Sequence, residues 1–342
     1  MTHPLKIIGA YASPYSRKMR AVLRYRHIPF EWVPQNSPAA AELPRPTVPV
    51  IPVLAFPDDD GAYTEVMTDS SPQIMRLEGM YAGRSLVPTD PVVAFVDYLI
   101  EDFADEWVTK MMYHYRWYYD GAIDKAGKML PLQADVTLAD DAWDAGNAYI
   151  TNRQIERRAL VGSTEENRPA IEDSYRRLLG LLDAHLREHH FLFGTRPSRA
   201  DMGLHGQLTQ LTWWDPEAVA VAVESSARTC VWVDRNDDLS WWPVDGDDGW
   251  LDRDAIPATT RALLDEAGRT YAPFMVANAA AFENGDEMMS CTIDGNPYSQ
   301  APFKYQHKCL HWLRDEYAAL DDGDRATVDD LLAGTGCEIL FA

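Results

Sequence analysis

A chain of 342 residues with 46% hydrophobic content is long enough for more than one core, so two domains are expected. Its formal net charge of −22 argues against the basic patches that bind nucleic acid or anionic membrane surfaces. No apolar run approaches the ~20 residues needed to span a bilayer.

Leu5-Lys6-Ile7-Ile8 is a short apolar run closed by Gly9, and Met19, Val22 and Leu23 follow at helical spacing. The pattern predicts a strand, a turn and a helix. The stretch from Ser13 to Arg20, SPYSRKMR, sits at that turn, with Ser13 as a candidate N-cap and Pro14 as a first-turn proline. Free backbone N–H groups and the positive end of a helix dipole then face whatever binds there, and an anion is favoured. In a thioredoxin fold this place carries C-x-x-C, whose thiolate the helix end stabilises. Here hydroxyls replace both thiols, and with no cysteine to form a mixed disulfide, thiol–disulfide exchange is disfavoured. The apolar stretch of the N-terminus is short and runs into basic residues, unlike a signal peptide, so a cytoplasmic protein is expected.

Phe30-Glu31-Trp32-Val33 reads as a second strand, and Val48 to Phe56 is a proline-punctuated apolar segment. Two hairpin strands flank Asp58-Asp59-Asp60-Gly61, and Thr68-Asp69-Ser70-Ser71-Pro72 opens a helix running through Ile74, Leu77 and Glu78. The order is the βαβ…ββα of a thioredoxin-like domain. The turn-rich Gly83 to Pro91 segment is the linker, placing one domain at residues 1–88 and the other at 89–342.

With these residues the first ninety positions resemble the N-terminal domain of the cytosolic glutathione transferase superfamily. The resemblance implies an α/β thioredoxin-like domain followed by an all-α domain, and glutathione as co-substrate. It implies a cis bond at Ile51-Pro52, with the Ile51 backbone meeting the cysteinyl part of glutathione and Asp69-Ser70 holding its γ-glutamyl end. It assigns Ser13, the first residue of the S-P-Y-S tetrapeptide and five before Lys18, as the hydroxyl that activates the thiol; Tyr15 and Ser16 stay open as alternatives. A small hydrophobic electrophile, no metal and a two-fold homodimer complete what it implies, the homodimer holding unless the C-terminal extension covers the usual interface. Glutathione-dependent dehalogenation, ether cleavage or isomerisation, and a non-catalytic glutathione or ligand binder, remain alternatives.

Beyond Pro91 the pattern is helical. Phe95, Leu99, Phe103, Trp107 and Met111 step by four, and an aromatic stretch from Tyr113 to Tyr119 follows, with His114 and Arg116 as polar groups among the rings. By the resemblance, this helix lines the cleft that takes the electrophile. Asp97, Glu101, Asp102, Asp105 and Glu106 share the helix, and without a Glu-x-x-His pair they read as a solvated face rather than a metal site. Ile171 to His190 is a strongly periodic helix, and Ser198-x-x-Asp201 is a capping-box variant resembling the one that starts a buried transferase helix. Trp232 resembles the tryptophan near the end of that domain. Residues 241–342 then form an extension beyond the transferase-like 89–240. Asp237 to Asp254 is its entry loop; helices are predicted over 259–284, 303–320 and 325–332, with a short strand and turn at Cys291 to Tyr298. His307 and His311 share a helix face, but Cys309 points elsewhere and no fourth ligand is evident, so packing is favoured over zinc. The four cysteines, Cys230, Cys291, Cys309 and Cys337, lack metal-type or disulfide-framework spacing and are expected as free thiols.

Overall fold

The computed structural model describes residues 3–342. Strand β1 (Leu5–Gly9) leads into helix α1 (Pro14–Tyr25), then β2 (Phe30–Pro34), a single-turn α2 (Pro38–Ala41), β3 (Val53–Pro57), β4 (Tyr63–Thr68) and α3 (Ser70–Met80). The strands form one mixed sheet in the order β2-β1-β3-β4. β1 runs parallel to β2, in register Ile7 to Trp32, while β3 is antiparallel to both β1 and β4. The sheet is thus the thioredoxin-like one expected. Leu5 and Ile7 of β1 and Met19, Val22 and Leu23 of α1 are fully buried in one cluster, which also takes in Phe191, Met202 and Leu239 from far along the chain.

The remainder is largely helical. α4 (Pro91–Phe103), capped by the Asp90 side chain, passes through a π-helical turn at Ala104–Val108 into α5 (Thr109–Tyr118). α6 (Asp120–Met129), α7 (Asp140–Glu156) and α8 (Arg168–His185) follow, and then α9 (Arg199–Thr209), which ends in a second π-helical turn at Gln210–Trp214. Both halves of the capping box form at α9: the Ser198 hydroxyl accepts from Asp201 N, and the Asp201 carboxylate accepts from Ser198 N. α9 lies directly on α1, an approach that Gly206 permits, because a Cβ there would stand 2.7 Å from the Pro14 carbonyl oxygen and 2.8 Å from Lys18 Cβ. α10 (Pro216–Ser225) and α11 (Ala227–Asn236) complete this part, with Trp232 buried and donating to the His190 carbonyl at 2.9 Å.

The extension supplies α12 (Ala258–Arg269), α13 (Tyr271–Asn284), a hairpin of β5 (Met289–Ile293) and β6 (Asn296–Gln300), α14 (Lys304–Ala319) and α15 (Asp322–Leu332). Two details differ from the sequence reading. The helix predicted over 259–284 breaks at Thr270, where Pro273 has no N–H to offer the Arg269 carbonyl and the Thr270 hydroxyl turns back to Glu266 O at 2.7 Å. The segment around Cys291 is a full hairpin, because Asp294 and Gly295 both adopt positive φ, 51° and 77°, as a type I′ turn requires. The extension is integral to the helical core: Leu263, Phe274, Leu310 and Leu340 are buried in one cluster with Leu99, Phe103 and Trp107, and α12, α14 and α15 all pack on α4. All four cysteines are free. Among the described residues no helix is long and apolar enough to cross a membrane.

Candidate functional site

The N-terminus of α1 is held from both sides. Ser13 caps the helix in extended conformation, its hydroxyl accepting from Ser16 N at 3.3 Å, which leaves its proton free to donate. Just before it, Arg116 Nη1 donates to the Ala12 carbonyl at 2.6 Å, and Ala12 N–H donates to Gln133 Oε1 at 3.4 Å. Arg116 is itself fixed by the Asp215 carboxylate, at 2.9 and 3.1 Å, and by Gln210. The other two hydroxyls of the tetrapeptide face away from solvent or are already bonded. Ser16 is fully buried under β1, accepting from Ala10 N at 3.3 Å, and Tyr15 donates to the Asp105 carbonyl at 2.7 Å. Ser13 is half-buried.

The second part of the site is the edge of β3 and the start of α3. The Ile51-Pro52 bond is cis, and Gln73 from α3 donates to the carbonyls of Pro52 and Met67, at 3.1 and 2.7 Å. Ile51 stands just outside the strand ladder, half-buried. Asp69 takes a left-handed φ of 81°, uncommon for a residue with a side chain. Its carboxylate does not cap α3; Oδ2 accepts from the Tyr305 hydroxyl of α14 at 2.6 Å. Burial raises the Asp69 pKa against the opposing pull of Tyr305 and Lys18. The Ser70 hydroxyl points inward, 3.2 Å from Lys18 Nζ and 3.5 Å from Asp105 Oδ2. What Ser70 offers to the outside is its backbone N–H at the first turn of α3.

Lys18 joins the two parts. It is completely buried and pairs with Glu101 at 2.7 Å and Asp105 at 2.6 Å. Although burial disfavours its charge, these two carboxylates hold its pKa above the ordinary lysine value. Here the expectation of a solvated acidic face is overturned: Asp97, Glu101, Asp102, Asp105 and Glu106 are all buried. Asp97 pairs with Arg199 at 2.8 Å, Asp102 accepts from the Tyr271 hydroxyl, and Glu106 lies 3.6 Å from Cys309 Sγ. Despite burial, Lys18 and Arg199 keep Glu101 below the usual carboxylate range. Burial, reinforced by Glu101, pushes Asp105 up to about 6. Burial and then Asp105 push Glu106 up to about 7, and burial pulls Lys110 down to about 7.

Glu106 therefore makes a testable statement about pH. A carboxyl whose folded pKa exceeds its unfolded value of ~4.3 binds extra protons in the folded state, so stability falls as pH rises between the two values. The penalty is absent below the unfolded pKa and complete above the folded one. Glu106→Gln is expected to raise the urea midpoint clearly more at pH 8 than at pH 4.5; an equal change at both values excludes the charge as its cause.

The structure thus brings Ser13, Ser70 and Asp69 onto elements joined by one buried network, with Pro52 braced from α3. Sequence reasoning missed three residues at this site. Lys18 served only as a spacing landmark, although a lysine in the helix that follows the capping serine was visible. Arg116 was noted as a polar group among rings, without an orientation. Tyr305 carried no signal, since it reaches Asp69 from 236 positions away. His114, the other polar group in the aromatic stretch, is fully buried between Ser163 and Glu172, at 2.9 and 3.3 Å.

Comparison with known proteins bears on this arrangement. Residues 7–85 match the family described as glutathione S-transferase, N-terminal domain. No curated protein matches the chain. Solved structures similar to it include the beta-etherase LigF from a Sphingobium species, at 21% identity over 68% of this chain and 93% of that one, with a TM-score of 0.45. A Tau class glutathione S-transferase from mango is 15% identical over 76% of this chain and 95% of that one, with a TM-score of 0.41. A GST-like protein from Pseudomonas syringae is 16% identical over 68% of this chain, with a TM-score of 0.43, and this chain spans 66% of its length. Over residues 7–85, and over those alone, the chain is thus similar to the N-terminal domain of glutathione S-transferases.

Proposed function

We propose that this chain is a glutathione transferase, which activates the glutathione thiol at Ser13 and presents the thiolate to a small hydrophobic electrophile held by the helical domain. The observation that carries the proposal is the pairing of a partly exposed hydroxyl at the N-terminus of α1 with an anchored helix start at α3. Lys18 ties the two through its contact with the Ser70 hydroxyl. In this reading Asp69 takes the γ-glutamyl ammonium on the carboxylate oxygen that Tyr305 leaves free, and the Ser70 N–H takes the γ-glutamyl carboxylate. Ile51 pairs its backbone with the cysteinyl residue. Glutathione is the co-substrate, and no metal takes part in this chemistry. Cytoplasmic location and a two-fold homodimer belong to the same proposal. The dimer must use a surface other than that of α4 already covered by α14 and α15.

Calorimetry with glutathione tests the binding assignment. Losing one partner of a charge-assisted hydrogen bond costs ~1.5–3 kcal/mol, so Asp69→Asn is expected to weaken binding by roughly tenfold or more. Tyr305→Phe, which frees the second carboxylate oxygen and removes a rigid neighbour, is expected to shift affinity by less. Unchanged affinity in a folded Asp69→Asn protein removes the assignment. Glutathione binding without turnover of any electrophile in a panel favours a non-catalytic binder, and turnover of only a haloalkane, aryl ether or isomerisable substrate gives the reaction another subtype on the same site.

A further inference from the structure

The C-terminal end of α13 and one face of α14 meet at three side chains that the glutathione site does not use. Glu283 lies one residue before the end of α13, and His307 and His311 stand one turn apart on α14. Glu283 Oε1 is 3.7 Å from His307 Nδ1 and 3.8 Å from His311 Nε2, and all three ligand atoms fall within 4.8 Å of one another. These separations are too long for hydrogen bonds. They are close to the roughly 3.3 Å edge of a tetrahedron whose metal–ligand bonds are ~2.0–2.2 Å. His307 Nδ1 is a buried atom with no hydrogen-bond partner among the described residues, although its ring is wedged against Phe282 at 4.8 Å and perpendicular to His311 at 4.4 Å. A ring nitrogen held by packing, without a proton partner, and aimed at a carboxylate and a second imidazole is a preorganised donor.

The electrostatics point the same way. The last carbonyls of α13 place the negative end of its dipole beside Glu283, which favours a cation. Cys309 takes no part, since it is buried on the other side of α14 against Glu106. We propose that Glu283, His307 and His311 form a binding site for a borderline divalent cation, Zn2+ in the first instance, with water completing the coordination. Two imidazoles and one carboxylate suit zinc and its neighbours rather than calcium or magnesium, which prefer all-oxygen shells. Side chains of Glu283 and His311 are 55% and 52% exposed, so the ion enters directly from solvent. A bound ion ties α13 to α14, the helix that carries Tyr305.

The test uses the full chain without a histidine tag. Titration with Zn2+ in a non-chelating buffer at pH 7.5 is expected to show one saturable site. Co2+ at the same site is expected to give d–d absorption bands. Second-shell losses already cost metal sites roughly 10–100-fold in affinity, so His311→Gln and Glu283→Gln, both at exposed positions, are each expected to weaken binding by at least about tenfold. No saturable Zn2+ site up to roughly 100 µM, or a site whose affinity and Co2+ spectrum are the same in both variants, overturns the proposal.

Discussion

Replacing Lys18 with methionine is expected to destabilise the protein by about 3–5 kcal/mol, the cost of leaving buried charge without its partner. Among the described residues Lys18 is the one cation within 3 Å of both Glu101 and Asp105, and its side chain and that of Glu101 are 1% and 0% exposed. Against a total stability of ~5–15 kcal/mol, that loss brings the protein close to unfolding at ordinary temperature. Urea denaturation reads it directly. The cost is expected to shrink when pH falls from 8 towards 5, because Asp105, raised to about 6, then takes up a proton and no longer needs the cation. Adding Glu101→Gln and Asp105→Asn to the same protein is expected to recover part of the loss, since an unpaired carboxylate is worse than no carboxylate. A loss below about 1 kcal/mol in the single variant means that water reaches this network.

Ser13→Ala is expected to leave glutathione affinity nearly intact while turnover drops by about ten- to a thousandfold, the range for one aimed hydrogen-bond donor or part of it. A hydroxyl donating to the thiolate favours the charged form, and with the helix end it brings a thiol pKa from ~8.5 towards neutrality. The thiolate absorbance of bound glutathione is therefore expected to titrate at higher pH in the variant. The same substitution removes the N-cap of α1, worth ~1 kcal/mol, whereas glycine at a cap costs only a few tenths. Ser13→Gly separates the two effects: a chemical role predicts the same loss of turnover in both variants, and a capping role predicts recovery with glycine. Unchanged titration and turnover in Ser13→Ala move the role to Tyr15, Ser16 or the backbone.

Local signals were legible in the sequence where one short window carries them. The strand-turn-helix at Ser13, the proline entering β3, and the Ser198-Asp201 capping box each depend on neighbours within a few positions. The five acids on the α4 to α5 helix were not legible in the same way. Their spacing places several on one side, but the direction of that side depends on cations elsewhere: Lys18, 83 and 87 positions from Glu101 and Asp105, and Arg199, 102 positions from Asp97. The apolar stripe from Phe95 to Met111 also misled, since an amphipathic reading allows a helix one buried side. This helix is covered all round, because the extension packs on it as well. For the same reason no short window of the sequence connects Asp69 to a side chain of the extension, and the carboxylate that joins His307 and His311 lies on a different helix, 24 positions before the first of them.

The tether between Tyr305 and Asp69 has its own thermodynamic consequence. Both groups sit on one polypeptide, and the packed extension holds them 2.6 Å apart. Their effective concentration is set by the fold and not by how much protein is in solution. A residue lent by a second molecule would be lost on dilution below the dissociation constant of the pair, whereas this contact persists down to single molecules. A glutathione site finished in this way is expected to keep the same affinity from nanomolar to micromolar protein, independent of the assembly the chain adopts.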